Sequence, residues 1–366
     1  MTETAALPHG TALLTPDDLR AAVAAGTITE AQAARLTVLA QARAGQRAAM
    51  GPDDEPFELF KGFAEIFVSV GLILLIAGVM TLAAIMEGPV LPAIAAAVAW
   101  GLALYFTRRR RMTLPSIVLA VAFACGALGT IGQLMGKMLD NMQEARGWVL
   151  LYAVLGLIAL AAHFRTFRVP FMALPMGLVA AAIVFLLVDW VMPFGDFPDS
   201  WEAAFDLTHG TGLPVATLIF GLLALAAGLY CDMRDPWRLG RWSATGFWLH
   251  ILAAPALVNT VALTAWNTGG TAGYLALALA LVVITGLALA IDRRSFLTAG
   301  LGYLAVLLVW ALRIGESTGS IALLLLILGA IVTGLGSWWT DLRGALMRAL
   351  PAFPGKNRLP PYAEQP

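Results

Sequence analysis

Charge is scarce in this chain. Asp, Glu, Lys and Arg make up 13% of its 366 residues, against about 25% in soluble domains. Acids and bases balance to zero net charge, so there is no general basic surface and no nucleic-acid partner is expected. Cysteine is nearly absent. Cys125 and Cys231 fall in different apolar segments and support neither a disulfide framework nor a metal cluster. The nucleotide and zinc-protease signatures are missing too: there is no G-x-x-x-x-G-K-S/T, no G-x-G-x-x-G after a strand, no H-E-x-x-H and no C-x-x-C. An ATPase, a dehydrogenase and a zinc protease therefore lack support, and neither a catalytic residue nor a cofactor nor a metal is assigned. The opening MTETAALPHG has no basic region followed by an apolar one. No cleavable leader is expected, and the first spanning helix is expected to act as the insertion signal.

What the chain has is apolar residues, 60% of the total, with a mean hydropathy of +0.81. They come in runs of about twenty, the length that crosses a bilayer core as helix. Ten such segments are read: 62–86, 89–107, 114–135, 147–164, 169–191, 212–231, 243–265, 271–291, 296–312 and 320–339. Hydrocarbon offers no partner to exposed backbone groups, so each is expected to be helical. The fold class is an all-α, polytopic membrane helix bundle of ten transmembrane helices. Residues 1–61 form a cytoplasmic helical hairpin and linker, 62–340 the transmembrane domain, and 341–366 a cytoplasmic tail.

Orientation follows the distribution of Lys and Arg in short loops. With the N-terminus inside, twenty of the twenty-three Lys and Arg residues lie on the inner side. The largest block is Arg108, Arg109, Arg110 and Arg111, read as a topology anchor. Smaller groups follow at Arg165 and Arg168, at Arg234, Arg238 and Arg241, at Arg293 and Arg294, and in the tail. Only Lys137, Arg146 and Arg313 fall outside. Both termini are expected inside a bacterial inner membrane, with the lipid bilayer as the main partner and anionic lipid as a secondary one for the arginine block. The arginine turns recur every 50–70 residues or so, either as duplicated two-helix units or as any evenly spaced polytopic chain would show them.

The N-terminal segment reads as a hairpin. In TPDDLRAAVAAG, Thr15 caps a helix, Pro16 fits its first turn and Gly26 stops it. A second helix begins with a capping box, Thr27 with Glu30 or Thr29 with Gln32. The hairpin either docks a protein partner or packs as a cap on its own membrane domain.

Polar residues inside the spans are few. In the third helix, Gly126, Gly129, Gly132, Gly136 and Gln133 share one face. Gly132 and Gly136 form a G-x-x-x-G pair that admits a neighbouring backbone. That face either packs helices around one amide or lines a substrate path. The hairpin turn AGTITEAQ, the first two spans with their arginine turn, and the GTIGQ close of the third helix resemble a bacterial family of membrane proteins known only as a domain of unknown function. The resemblance covers about residues 10–140. It implies a multi-pass inner-membrane protein and supplies no catalytic residue.

In the seventh segment, His250 and Asn259 lie on nearly opposite faces, with Pro255 between them. A proline removes a backbone bond and can break a helix, a device that transporters use near the midplane. His250, Pro255, Asn259 and Gln133 are thus the candidates for a substrate path, with His250, Pro255 and Asn259 the better placed. His250 is the one ionisable candidate deep in a span, which argues against a proton- or ion-coupled carrier. Glu65 can reach the inner surface from the first span. Asp206 and His209 are a weak metal pair, and Arg313 with Glu316 an ordinary helical ion pair. Three functions stay open. The first is a permease-like transporter for a small or lipidic solute. The second is a non-transporting scaffold or sensor acting through the hairpin. The third is an intramembrane enzyme, for which no polar cluster is assembled.

Overall fold

The structure, a computed structural model, describes residues 16–29, 63–85, 88–139, 145–194, 205–236, 240–311 and 318–360, with a few single positions beside them. The chain divides into two compact units, Met1–Pro56 and Phe57–Pro366. In the first, helix α1 (Pro16–Ala24) stops at Gly26, whose φ of 70° suits a residue without a Cβ. The capping box at Thr29 is formed, and Glu30 of the alternative box lies outside the described residues, as does most of the second hairpin helix. Thr29 N donates to Gln32 Oε1 at 2.8 Å, and Gln32 N to Thr29 Oγ1 at 3.2 Å. The Thr15 cap and the linker before the first span lie outside the described residues.

The second unit is helical, with no strand among the described residues. Its helices are α2 (Phe63–Ile85), α3 (Val90–Ala103), α4 (Thr113–Leu139), α5 (Ala145–Phe167), α6 (Ala173–Val191), α7 (Gly212–Arg234), α8 (Arg241–Asn267), α9 (Gly270–Ile291), α10 (Ser295–Ala311), α11 (Thr318–Ser337) and α12 (Trp339–Ala349). Helix α3 runs on through a π-helical stretch, Leu104–Arg109, and a 3-10 turn, Pro170–Met172, leads into α6. Eight of these, α2 to α9, are long and apolar enough to cross a membrane. A ninth span exists if α11 and α12, bent by 70° at their junction, count as one. Helix α10 is apolar over a shorter stretch, Ser295–Trp310.

The spanning helices are apolar all round rather than on one stripe. Phe67, Leu74, Ile158, Leu279 and Leu326 all face outward. Apolar surface on this scale belongs in hydrocarbon, not water, and the chain is an integral membrane protein. Helix α12 differs. It carries Asp341, Arg343 and Arg348 on an otherwise apolar frame, the pattern of a helix lying in the interface.

Two large buried cores lie inside the bundle. The first takes Leu72 of α2, Ala99 and Ala103 of α3, Leu119 and Phe123 of α4, and Leu160 and Phe167 of α5. The second takes Phe220 of α7, Ala253, Ala254 and Val258 of α8, Ala288 of α9, Phe296 of α10 and Trp339 of α12. Helix α6 serves both: Met176 and Val179 pack against the first core, and Ala181, Val184 and Phe185 against the second. The many alanines allow close helix approach where the hydrophobic effect between helices is absent.

The glycine face of α4 is used unevenly. A Cβ on Gly126 would lie 2.7 Å from Ala96 N and 2.8 Å from Pro92 O, so α3 and α4 touch backbone to backbone there. At Gly129 the nearest atom, Pro92 Cβ, is 3.4 Å away; at Gly132 it is the Tyr152 ring at 3.6 Å; at Gly136 nothing lies within 4 Å. The tightest approach is thus at Gly126 and not at the expected G-x-x-x-G pair: α3 begins at Val90, and its first turn, at Pro92, is already level with Gly129.

The arginine turns share a backbone device. Arg111, Arg168, Arg238 and Asp292 have φ between 52° and 58°, and they are the only non-glycine residues with positive φ among those described. Each sits between two antiparallel helices, so the recurrence seen in the sequence has a conformational counterpart. All four turns lie at one end of the bundle. Arg108 Nη2 donates to the Thr166 carbonyl at 3.3 Å, and the Phe171 ring meets Trp248 at 4.8 Å. Arg238 pairs with Asp292 at 3.2 Å. The start of α2 joins them, because Glu65 Oε2 accepts from the amides of Thr113 and Leu114 at 3.1 and 3.2 Å. A carboxylate from α2 thereby caps the positive N-terminus of α4. Arg108, Arg109, Arg110 and Arg111 are all exposed.

At the other end, Arg146 pairs with Asp189 at 3.1 Å. Asp206 is buried and accepts from Thr208 N and Asn267 Nδ2, each at 2.9 Å. These bonds engage the carboxylate proposed to share a metal with His209. The loop residues 195–204 and the Arg313–Glu316 pair lie outside the described residues.

Candidate functional site

Helices α7 and α8 form an antiparallel pair in which small and large residues alternate across the seam. A Cβ on Gly221 would lie 2.7 Å from Leu257 Cγ; one on Gly228, 2.7 Å from His250 Cε1; one on Gly246, 2.7 Å from Asp232 Oδ1. Each glycine leaves the recess that the facing side chain occupies. The imidazole of His250 and the carboxylate of Asp232 are thereby drawn into one layer, near the arginine end of the bundle.

His250 Nε2 and Asp232 Oδ2 are 2.8 Å apart. Arg293, in the turn between α9 and α10, grips the same carboxylate with two donors: Nη2 to Oδ1 at 2.5 Å and Nε to Oδ2 at 3.2 Å. Its Nη2 also donates to the Ser243 carbonyl at 3.0 Å and reaches Ser243 Oγ at 3.3 Å. The side chains of His250, Asp232 and Arg293 expose 0, 1 and 2% of their surface. A two-pronged guanidinium–carboxylate contact is the strongest form of this pairing. Burial makes it costly to break from one side. His250 Nδ1 has no hydrogen-bond partner.

A second layer lies beneath the first. Asp292 pairs with Arg238 and accepts from Trp339 Nε1 at 2.6 Å. The Arg238 guanidinium also donates to the Asp292 carbonyl. Arg343 of α12 is buried and donates through Nε to the Leu289 carbonyl at 3.0 Å and through Nη2 to the Pro360 carbonyl at 2.5 Å. The segment after α12 therefore folds back as a strap. Leu359 and Pro360 are buried, Lys356 Nζ donates to the Leu350 carbonyl at 2.6 Å, and Gly355 approaches Met233 of α7.

The chemistry of this cluster is that of a charge lock. Ser243, His250 and Asp232 have the composition of a hydrolytic triad without its geometry. No hydrogen bond joins Ser243 Oγ to His250; the hydroxyl meets Arg293 instead. A nucleophile needs that contact with its base. No group of three or more His, Cys, Asp and Glu suited to a metal occurs among the described residues.

The four substrate-path candidates are dispersed. His250 sits in the charge layer. Asn259 is half-buried and accepts from Tyr303 Oη at 3.0 Å, on another face of α8. Pro255 is exposed, and α8 runs through it as one helix, so the expected break is not made. A proline removes a single ladder bond, and with the ring on the outer surface the helix tolerates the loss. Gln133 is exposed near the far end of α4, in the other half of the bundle. In sequence, Arg238 and Arg293 look like solvated anchors of the inner turns, and the sixth apolar segment ends before Asp232. The signal was present: the first two arginine turns lack acids, whereas LYCDMRDPWRLGR and IDRRSF carry Asp232, Asp235 and Asp292. His163 of α5 gives no such signal in sequence. It is fully buried between Trp100, Phe123 and Phe167, and neither ring nitrogen has a partner.

The chain matches no protein-family model, no curated protein and no solved structure.

Proposed function

We propose that this protein is a permease-like carrier of a small or lipidic solute in a bacterial inner membrane. It would have ten spans, both termini inside and the arginine end facing the cytoplasm. The observation that carries the reading is the pair of separately packed cores joined through α6, with the arginine end of the second closed by the Asp232–His250–Arg293 layer. Alternating access works by moving one bundle against another around a central site. Two half-bundles and a polar latch at one end are the parts such motion needs. The latch also answers the objection that ionisable groups are too few for a carrier, since His250 is joined by Asp232 and Arg293.

Side-specific labelling tests this. In a background with Cys125 and Cys231 replaced by alanine, Val179→Cys and Val184→Cys place thiols on α6, where it meets the first and the second core. A carrier admits a membrane-impermeant thiol reagent to these positions from either face, and Asp232→Asn raises the rate from the arginine side. Absence of reaction from both faces would overturn the carrier reading.

The second reading, a scaffold or sensor acting through the hairpin, draws on the separate compactness of Met1–Pro56. It requires the membrane domain to stay closed in that experiment.

A further inference from the structure

The cations at the arginine end of α7 and α8 divide into two sets. Arg238, Arg293 and Arg343 turn inward and are held by carboxylates or carbonyls. Arg234, the last residue of α7, and Arg241, the first of α8, point outward and are exposed. Arg234 is nevertheless held in place. Its guanidinium carbon lies 4.4 Å from the Tyr230 ring centroid and 4.9 Å from that of Trp242. The two rings meet edge to face, with centroids 6.3 Å apart and planes at 87°. They expose 49 and 43% of their surface on the outside of the bundle. Stacking fixes the plane of a guanidinium while leaving its N–H edge free. Neither Arg234 nor Arg241 is paired with a carboxylate among the described residues. Asp235, the acid of this turn, directs Oδ2 to the amides of Gly240 and Ser243.

We propose that Arg234, Arg241, Tyr230 and Trp242 form a binding site for the phosphate of an anionic phospholipid. The helix ends lie where acyl chains give way to headgroups. There, half-exposed Trp and Tyr rings meet the glycerol region, and two unpaired guanidinium groups meet the phosphate. The outward, lipid-facing position of the rings favours a lipid over a soluble phosphate. The inference requires only that this end of the bundle meets a membrane surface. It stands whether or not a solute is carried.

The test uses the full-length protein, delipidated in detergent, with binding followed by native mass spectrometry and by the rise in Tm on adding lipid. Phosphatidylglycerol should bind and phosphatidylcholine should not. Each surface arginine contributes on the order of fivefold to such an affinity. Arg234→Gln and Arg241→Gln should therefore each weaken binding about fivefold, and the double variant about 25-fold. Arg234→Lys keeps the charge but loses the planar stack, and should fall between wild type and Arg234→Gln. The Arg109→Gln/Arg110→Gln double variant, in the turn expected to meet anionic lipid by charge alone, should lose less than the Arg234/Arg241 double variant does. Unchanged affinity in the Arg234/Arg241 variant overturns the site, as does equal loss in the Arg109/Arg110 control. So does inorganic phosphate competing at the lipid's own concentration. Both arginines are exposed, so their variants should elute as wild type. If they do not, Trp242→Ala keeps both charges and tests the stack alone, with loss of phosphatidylglycerol binding expected and wild-type binding overturning the proposal.

Discussion

Asp232 and Arg293 are 61 positions apart in the chain and share a two-pronged, fully buried contact. Through it, the end of α7 is tied to the turn between α9 and α10. Because Arg293 also holds the Ser243 carbonyl, one side chain fastens three helices of the second half-bundle.

Removing one partner leaves the other charged and enclosed. Asp232→Asn and Arg293→Gln should each destabilise the protein by about 3–5 kcal/mol. The double variant should lose less than the sum of the two. Thermal unfolding in detergent across the four proteins gives the coupling. Additive losses would show that the two groups act independently.

Gly228 makes room for His250. A methyl at that position would stand 2.7 Å from Cε1 and 2.9 Å from Nε2 of the imidazole, so Gly228→Ala should cost about 1–3 kcal/mol by overpacking. In a His250→Ala background, where the facing ring is gone, the same substitution should cost little. Gly136→Ala, with nothing within 4 Å, serves as the neutral comparison. Equal Tm values for Gly228→Ala and Gly136→Ala would contradict the packing described.

Glu65 acts at a distance in sequence but across a short space. It caps α4 from α2 through two amides, and a cap of this kind contributes about 1 kcal/mol. Glu65→Ala should lower stability by about that much. It should also speed hydrogen exchange at the Thr113 and Leu114 amides while leaving the start of α7 unchanged. Uniform exchange at both places would remove Glu65 from this role.

The strap after α12 shields the arginine end, and Cys231 reports on it. This thiol is buried next to Asp232, whereas Cys125 is exposed on the bundle surface. Truncation after Leu350, or Arg343→Gln, should raise the reaction rate of Cys231 with a thiol reagent about tenfold or more, on the scale of the 1.4 kcal/mol that separates tenfold changes in an opening equilibrium. Cys125 should react as before. An unchanged Cys231 rate in both variants would mean that the strap covers nothing.

Arg111 sits exposed at a φ of 54°, where an L side chain costs roughly 1–2 kcal/mol relative to glycine. Arg111→Gly should leave stability equal or higher, and Arg111→Val should lower it. The same ordering is expected at Arg168. A Tm scale in which valine equals glycine at either site would count against the left-handed turn.

Much of the helical layout was legible because hydrocarbon imposes a simple rule. Every span must be apolar and about twenty residues long, so a run such as 62–86 announces itself. The capping box at Thr29 was legible for a similar reason: Thr29 and Gln32 are three residues apart and need no tertiary context. The charge layer was not legible, because its members are close only after folding. Asp232 and Arg293 each look like an ordinary turn residue beside a membrane helix. Their burial depends on the recesses at Gly228 and Gly246, which in sequence are two glycines among thirty-six. The Gln133 face misled for the opposite reason. Its periodicity is real, but periodicity on one helix does not say where the neighbour crosses, and α3 crosses at Gly126.

The span of sequence between Asp232 and Arg293 is also an interval of time. At about 5–20 residues per second, a ribosome makes the second of them roughly 3–12 s after the first. Through that interval α7 is already synthesised, α8 and α9 follow it, and the carboxylate that will tie α7 to the turn before α10 has no guanidinium to meet. Asp232 must therefore wait for its partner, and the second half-bundle can close only when the turn after α9 arrives. Its last latch is set by the order of synthesis.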